Sequence, residues 1–391
     1  MRMARARVEY WEKWGGKERE AMQAVVQAFN RSQDEHEVIM RDAGDWSSSP
    51  DLPTFLAAQA DGTPPDVIGL EDHQIVDLSV SGAIKPLALL LDLTAFRPEF
   101  SSLGVCNGAL HAVPVSVDVV TLYLNLSAVR GTVFDGGRLP PTIEEFDGAL
   151  AAYEQGGRTA FVPTYPGWWP QAWAGFFGGC WADEDGSFTP GRPGNVRALE
   201  WVRSLRDRLA LRCSGPETGW ICKLLGSTVN PIGKIAPDPF LAGDVAMVFE
   251  GDWLVRRLAA TLGLDWLPAA FPCADGVPSA LVVADLLAIP AGARNSDGAA
   301  EFIRFATSPG QVERLALAQG KVSPLRDWSA EFLAGHSNPR IRDFQAILKS
   351  ARLLHDPRVP GWLGYLDRIK AAFAAVWLGE KSPDQVLRAF T

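Results

Sequence analysis

The sequence has few of the residues and runs that mark metal-binding, membrane-spanning and nucleotide-binding proteins. Its 391 residues include five Cys and five His, with no CxxC pair and no Cys/His spacing suited to zinc. No run of 18 apolar residues occurs, so no membrane-spanning helix is predicted. The motifs GxGxxG, GxxxxGK[ST], GxSxG and HExxH are absent. We therefore expect no metal ion and no cofactor.

Positive charge is in deficit. Lys and Arg number 37 against 46 Asp and Glu, which gives a formal net charge of −9. Affinity for nucleic acid depends largely on clustered Lys and Arg. The charge balance therefore argues against a nucleic-acid partner and favours a neutral small molecule.

Tryptophan, in contrast, is abundant, with 14 Trp against 5 Tyr. An indole offers a large flat apolar face and one N–H donor at its edge. Sugar rings pack their axial C–H groups on such faces, while their hydroxyl groups need directional donors and acceptors. The composition therefore suits a carbohydrate ligand.

Strand-like and helical patterns alternate from the start of the chain. Residues Arg5 to Tyr10 alternate like a strand, and Lys17 to Asn30 have the spacing of an amphipathic helix. Parallel strands need crossovers, which are usually helical, so the repeated units predict an α/β fold with a parallel sheet. A chain of 391 residues exceeds the usual size of one hydrophobic core, so two lobes are expected.

Three consecutive loops of the first lobe are predicted to lie beyond the carboxyl ends of its strands, where ligands of such folds bind. Each loop offers an acid or an indole, and their convergence suits a sugar site, although each residue taken singly also fits ordinary surface. These candidates are Glu12, Lys13, Trp14, Asp45, Trp46 and Asp72.

The densest aromatic stretch of the chain lies in the predicted second lobe. A Pro-Gly turn precedes its tryptophans and glycines are interspersed, which favours a stacking surface over core packing alone. A second group follows the apolar strand Val245 to Phe249. The candidates here are Tyr165, Trp168, Trp169, Glu250, Asp252 and Trp253, with Trp173 and Trp181 nearby.

Three further candidates lie near the predicted lobe changes. Asp118 is at the first crossing and Asp285 is on the returning strand; for both, structural hydrogen bonding at a hinge is the alternative. Arg326, after Ser323-Pro324, would offer a planar donor.

Several motifs, in one order, resemble the family 1 extracellular solute-binding proteins, the sugar-binding group that includes maltose- and trehalose-binding proteins. Gly62-Thr63-Pro64-Pro65-Asp66-Val67 is similar to the family's G-x-P-D-V strand entry, and Phe240 to Met247 followed by Gly251-Asp252-Trp253 is similar to its most recognisable block. Gly320-Lys321-Val322-Ser323-Pro324 and the tail Leu378 to Pro383 also match. The sequence departs from the pattern at Ile143, where the family usually has Trp.

The resemblance implies a two-lobed periplasmic-binding-protein fold with a hinge and a ligand cleft, no catalytic activity, and permease partners of an ABC transporter. We expect a monomer at the periplasmic or extracellular face, free or lipid-anchored. The basic N-terminus is followed by no apolar export segment, so a binding protein that stays inside the cell is the alternative. The predicted division is 1–115 for the N-lobe, 116–284 for the C-lobe, 285–325 for the return to the N-lobe and 326–391 for a tail associated with the C-lobe.

Two other functions stay open at this stage. A carbohydrate-active lyase or hydrolase needs only two suitably spaced carboxylates, and members of the family also bind solutes other than sugars. Cys213 and Cys222 are close enough in sequence to form a disulfide, and two free buried thiols are equally compatible with the sequence.

Overall fold

The computed structural model describes residues 4–42, 51–87, 91–163, 166–213, 219–226 and 238–390. Within these ranges the strands are β1 Ala6–Glu12, β2 His36–Asp42, β3 Val67–Glu71, β4 Val105–Cys106, β5 Ala109–Leu110, β6 Ala112–Asn125, β7 Thr159–Pro163, β8 Val245–Gly251, β9 Trp266–Ala269, β10 Ser279–Ala288 and β11 Arg352–Leu354.

Helices follow most of the strands, as the β-α alternation predicts. None of those described is long and apolar enough to cross a membrane. They are α1 Gly16–Ser32, α2 Asp51–Ala60, α3 Ile75–Val80, α4 Pro98–Ser101, α5 Leu126–Val129, α6 Ile143–Glu154, α7 Pro170–Phe176, α8 Pro193–Ala210, α9 Gly219–Leu225, α10 Pro239–Ala242, α11 Val255–Ala260, α12 Ser296–Ala306, α13 Pro309–Gln319, α14 Ala330–Gly335, α15 Ile341–Ser350, α16 Trp362–Leu378 and α17 Pro383–Leu387.

The chain forms two compact units. Unit 1 comprises Met1–Asp118 and Val283–Ser337, and unit 2 comprises Val119–Val282 and Asn338–Thr391. The sequence-based division changes lobe at 115, 284 and 325, and residues 326–337 account for the largest difference. Their contacts explain their place in unit 1, because the Arg326 N–H donates to the Ala95 carbonyl (2.8 Å).

Unit 1 is built on parallel strands with helical crossovers. Strand β1 pairs in parallel with β2 and with β3, and β10 runs antiparallel to β3, with Asp285 opposite Glu71. The carboxylate of Asp66 accepts hydrogen bonds from the backbone N–H groups of Glu9 (2.8 Å), Arg294 (2.8 Å) and Asn295 (2.7 Å). It thereby joins β1 to the residues that lead into α12.

The core of unit 1 packs helices α1 and α12 against this sheet. Apolar residues recur on one face of α1, so that face is buried. Among the side chains that form this core are Val8, Tyr10, Met22, Val25, Val26, Phe29, Phe302 and Ile303.

Unit 2 has an aromatic core. Strand β8 pairs in parallel with β7 and antiparallel with β6, which also pairs with β9. The rings of Phe176 and Phe271 stack at 4.1 Å between centroids, and Trp173 packs on Phe249 at 5.1 Å. Trp173 and Trp181 are fully buried, and their Nε1–H groups donate to the carbonyls of Pro166 and Pro170. These two tryptophans therefore belong to the core.

A disulfide joins Cys213, after α8, to Cys222 in α9, with the two Cα atoms 5.2 Å apart. Of the two alternatives that the sequence left open for these cysteines, a disulfide or two free thiols, the structure has the disulfide. Cys106, Cys180 and Cys273 are free thiols.

Candidate ligand-binding site

The loop after β1 is shaped by Glu12, whose side chain is buried. Its carboxylate accepts the backbone N–H groups of Lys13 (2.7 Å) and Trp14 (3.2 Å), and the Tyr10 hydroxyl donates to it as well. Burial raises the pKa of Glu12, and the hydrogen bond from Tyr10 partly offsets that rise. Glu12 therefore holds the turn that presents the next two residues.

Lys13 is buried among carboxylates. Its Nζ lies 2.5 Å from Asp285 Oδ1 and 3.3 Å from Glu71 Oε1. Burial alone lowers the pKa of a lysine, but the charges of Asp285 and Glu71 outweigh it, so the pKa of Lys13 is raised above its usual value. The side chain is thus a fixed cation.

Trp14 is half-buried and held by its indole edge. Its Nε1–H donates to Asp285 Oδ2 at 2.9 Å. The Lys13 ammonium lies 4.2 Å from the centroid of the ring, within the range of a cation–π interaction. The orientation of this indole is therefore set by charged neighbours.

Lys321 is a member of this group that the sequence-based candidates missed. Its Nζ lies 2.9 Å from Asp118 Oδ2, 3.5 Å from Glu18 Oε1 and 3.7 Å from Asp285 Oδ2. Burial lowers its pKa, but the three carboxylates more than compensate, so the pKa is raised. The Gly-Lys-Val-Ser-Pro motif contains it, but nothing local marks its partners. The charged groups gathered here, called the ion cluster below, are Lys13, Glu18, Glu71, Asp118, Asp285 and Lys321.

A small cavity, with room for about one water molecule, adjoins the ion cluster. Two other predicted site residues of unit 1, Asp72 and Arg326, do not line this cavity. The buried Asp72 accepts the backbone N–H of Ala284 (3.3 Å), next to Asp285, and Arg326 Nε donates to the Phe96 carbonyl (2.9 Å) at the surface. Asp45 and Trp46 lie outside the described residues. The cavity is lined by Tyr10, Glu12, Lys13, Trp14, Met22, Gly69, Val115, Ser116, Asp285, Leu286, Leu287 and Gln319.

In unit 2 three partly exposed indoles, Trp168, Trp169 and Trp253, form an indole cluster. The ring centroids of Trp168 and Trp169 are 6.0 Å apart at 86°, and those of Trp169 and Trp253 are 6.0 Å apart at 34°. Trp168 is 37% exposed, which is high for so large an apolar side chain. The Nε1–H of Trp169 has no acceptor among the described residues. The cluster therefore combines partly exposed apolar faces with a buried N–H donor that lacks an acceptor among the described residues.

The turn that carries Trp253 begins at the end of β8. Gly251 is needed there, because a Cβ at this position would overlap the Trp253 ring. Glu250 and Asp252 flank it and are both buried, and Glu250 Oε1 accepts the Gly251 N–H at 3.0 Å. Both acids therefore lie next to Trp253 of the indole cluster. The predicted residue Tyr165 lies outside the described residues.

One group of side chains in the described part of the chain has the composition of a metal site. The donor atoms of Glu35, His36 and Glu301 lie within 4.8 Å of one another near the surface of unit 1. Exposed acidic groups often come together without a metal, and this group lies outside both clusters described above. It therefore adds no site to the prediction.

Two α/β units, with indoles in loops that follow strands of each unit, fit a protein that binds a small solute. The chain belongs to the bacterial extracellular solute-binding proteins, whose family model matches residues 24–337. The predicted family and the role of binding a solute are thus confirmed. Comparison with curated protein sequences gives no match.

Solved structures share the fold over nearly the full chain. CpMnBP1 with mannotriose bound is 22% identical, with a TM-score of 0.80 and 98% of each chain covered. The GacH receptor of Streptomyces glaucescens, solved unliganded and with acarbose, is 20% identical, with a TM-score of 0.75 and 98% of each chain covered. The sugar-binding protein MalE from Xanthomonas citri is 20% identical, with a TM-score of 0.77 and 98% and 95% covered. The predicted two-lobed α/β fold class is confirmed.

Proposed function

We propose that this chain is the substrate-binding subunit of an ABC transporter, which captures a small carbohydrate and delivers it chemically unaltered to a membrane permease. The observation that carries the proposal is the indole cluster of unit 2, in which three tryptophans stay partly exposed. Leaving so much apolar surface in water is unfavourable unless a ligand covers it. The C–H face of a sugar ring matches such a surface.

Polar groups beside these indoles suit the hydroxyl groups of a sugar. The Trp169 Nε1–H is a donor without an acceptor in the described structure, and a sugar hydroxyl would supply one. Glu250 and Asp252 are at the same turn, and carboxylates accept strong hydrogen bonds from hydroxyl groups. Few, well-placed polar groups among aromatic faces are typical of small-molecule sites.

In unit 1 the half-buried Trp14 supplies a further aromatic face beside carboxylates. Of the similar structures, one has mannotriose bound, one was solved with acarbose and one is a sugar-binding protein, which supports a carbohydrate over other solutes. We propose that Asp45, Trp46 and Asp72 of the predicted first lobe also contact the sugar, as do Arg326 and, in the predicted second lobe, Tyr165.

The proposal includes where the protein acts. An extracellular solute-binding protein works at the periplasmic or outer face of the cell, free or lipid-anchored. There we propose that it acts as a monomer, with the transmembrane subunits of the permease as partners. The chain is proposed to have no catalytic step, so its function is completed by release of the solute.

Calorimetry with mannobiose, mannotriose and maltose tests the sugar site. Trp169→Ala and Trp253→Ala are each expected to weaken binding about 10- to 100-fold, since each removes a stacking face from a small ligand. Trp11→Ala is the matched control, because Trp11 is a half-buried indole of β1 outside the site, bonded to Glu9 (3.0 Å). Unchanged affinity in both cluster variants would refute the site.

Chromatography of the sugars after incubation separates binding from catalysis. Recovery of every sugar intact is expected for a transport protein. A cleavage product would assign the chain to the carbohydrate-active enzymes, and failure of all three sugars to raise the melting temperature would point to a different solute.

A further inference from the structure

Carboxylates from three separate segments converge on Lys321. Glu18 belongs to α1, Asp118 to β6 and Asp285 to β10, and all three lie within 3.7 Å of its ammonium group. The side chain is 3% exposed, so water does little to screen these charges. Removing the cation would leave buried carboxylates facing one another, and they would be expected to move apart.

The same ammonium group is coupled to the Trp14 indole in two ways. It lies 5.1 Å from the centroid of the ring, in addition to Lys13 at 4.2 Å. It also lies 3.7 Å from Asp285 Oδ2, the oxygen that accepts the Trp14 Nε1–H. Loss of the Lys321 charge would therefore disturb both the face and the edge of the indole.

The backbone of Lys321 is held firmly. Gly320 before it has φ of 74°, a left-handed conformation that ends α13. The Lys321 N–H donates to the Ala316 carbonyl (2.9 Å), and the His336 Nε2–H donates to the Lys321 carbonyl (2.9 Å). Because its main chain is fixed on both sides, the side chain can act as a rigid anchor for its neighbours.

We propose that Lys321 is a positioning residue, which orients the Trp14 indole for stacking on the bound sugar. This inference rests on the proposed function and extends it, since it assigns a role to a residue outside the predicted site. Lys321 itself need not touch the sugar, because its influence passes through Asp285 and the aromatic ring.

A double-mutant cycle tests this coupling, with mannotriose and maltose as probes in calorimetry. Lys321→Met is expected to weaken binding about 10-fold in the wild-type background and less than twofold in a Trp14→Ala background, because the residue acts through that ring. Additive losses would overturn the proposal, as would an unchanged affinity in Trp14→Ala. Lys85→Met is the control and should change affinity less than twofold, since Lys85 bonds to Ser296 (2.8 Å), outside the ion cluster.

A measurement without ligand separates this inference from the proposed function. In ¹⁵N-labelled protein the indole N–H resonance of Trp14 is identified by its loss in Trp14→Phe. Lys321→Met is expected to shift it and to speed its exchange with water, while the resonances of the indole cluster stay in place. An unmoved Trp14 resonance overturns the proposal, even if a sugar binds.

Two further outcomes are covered by the same spectra. If neither probe binds the wild-type protein, the proposed function fails, and the resonance alone decides whether Lys321 positions the ring. If Lys321→Met does not fold, Lys321→Gln, which also removes the charge, replaces it: a shifted Trp14 resonance supports the proposal, and an unshifted one overturns it.

Discussion

Gly251 determines where the Trp253 indole can lie. Its backbone is extended (φ −79°, ψ 165°), a conformation open to any residue, so the reason for glycine here is steric. The ring of Trp253 occupies the space that a Cβ would take. A single missing methyl group therefore allows the indole to fold back over its own turn and face Trp169.

Gly251→Ala is predicted to keep the fold and to lose sugar affinity about 10-fold, close to the loss in Trp253→Ala, because the added methyl group displaces the ring. Calorimetry measures the loss, and tryptophan fluorescence reports the displaced indole. The control is Gly148→Ala in α6, where an added Cβ meets nothing within 4 Å. Wild-type affinity in Gly251→Ala would show that the ring position is unimportant for binding.

Residue type and local order made Trp168, Trp169 and Trp253 candidates for the site, and all three are partly exposed. Trp173 and Trp181, which lie nearby in the sequence, are fully buried, and composition alone does not mark this difference, since burial of an indole is favourable wherever it occurs. Lys321 was missed for a different reason. Its partner Asp118 is 203 residues away in the chain, so no local pattern reveals the pair.

At the level of elements, Asp66 directly precedes β3, and its hydrogen bonds connect β1 with the residues before α12. Asp66→Asn is predicted to destabilise the protein by about 3 kcal/mol, because a neutral amide accepts these hydrogen bonds less strongly and its NH₂ group opposes a backbone donor. Urea unfolding measures the loss. Asp61→Asn, at an exposed position after α2, is the control. A change below about 1 kcal/mol in Asp66→Asn would contradict this role.

The disulfide between α8 and α9 links two helices of unit 2. Replacing both Cys213 and Cys222 by Ser is predicted to cost about 2–3 kcal/mol, the loop-closure entropy for a short ring. Urea unfolding with and without dithiothreitol provides its own control. Reductant should destabilise the wild-type protein and leave the double variant unchanged, whereas an equal effect on both proteins would contradict the assignment.

The alternation of strand and helix patterns predicted the parallel pairing of β1, β2 and β3 because each crossover is local in sequence. The antiparallel pairing of β10 with β3 could not be predicted in the same way. It sets Asp285 opposite Glu71, and these two residues come from distant parts of the chain. Pairings of this kind depend on tertiary contacts, and the ion cluster is built on one of them.

Across the whole molecule the two units carry different chemistry. Unit 1 concentrates buried charge, with two lysines among four carboxylates around one indole, while unit 2 concentrates indoles on an aromatic core. Buried ion pairs are screened little by salt. The contribution of unit 1 to stability should therefore depend on protonation more than on ionic strength.

Three buried groups of unit 1 determine whether the stability of the protein rises or falls as the pH increases. The pKa values of Lys13 and Lys321 are raised above their usual value of 10.5 by the carboxylates, against the effect of burial, and burial together with Glu12 raises the pKa of Tyr10 above 10.0. Each group therefore binds its proton more tightly in the folded protein than in the unfolded chain. Their stabilising contribution is complete below about pH 10 and is lost as the pH rises through the folded-state pKa values.

The free energy of unfolding is accordingly predicted to fall above pH 10, by up to about 1.4 kcal/mol per pH unit for each of the three groups. Tyr10→Phe removes one of them, so its slope should be shallower by about that amount, even though losing the bond to Glu12 lowers stability at every pH. Urea unfolding between pH 9 and 11, followed by circular dichroism, measures both slopes. Parallel curves for the two proteins would mean that the Tyr10 hydroxyl does not hold its proton more tightly in the folded protein than in the unfolded chain.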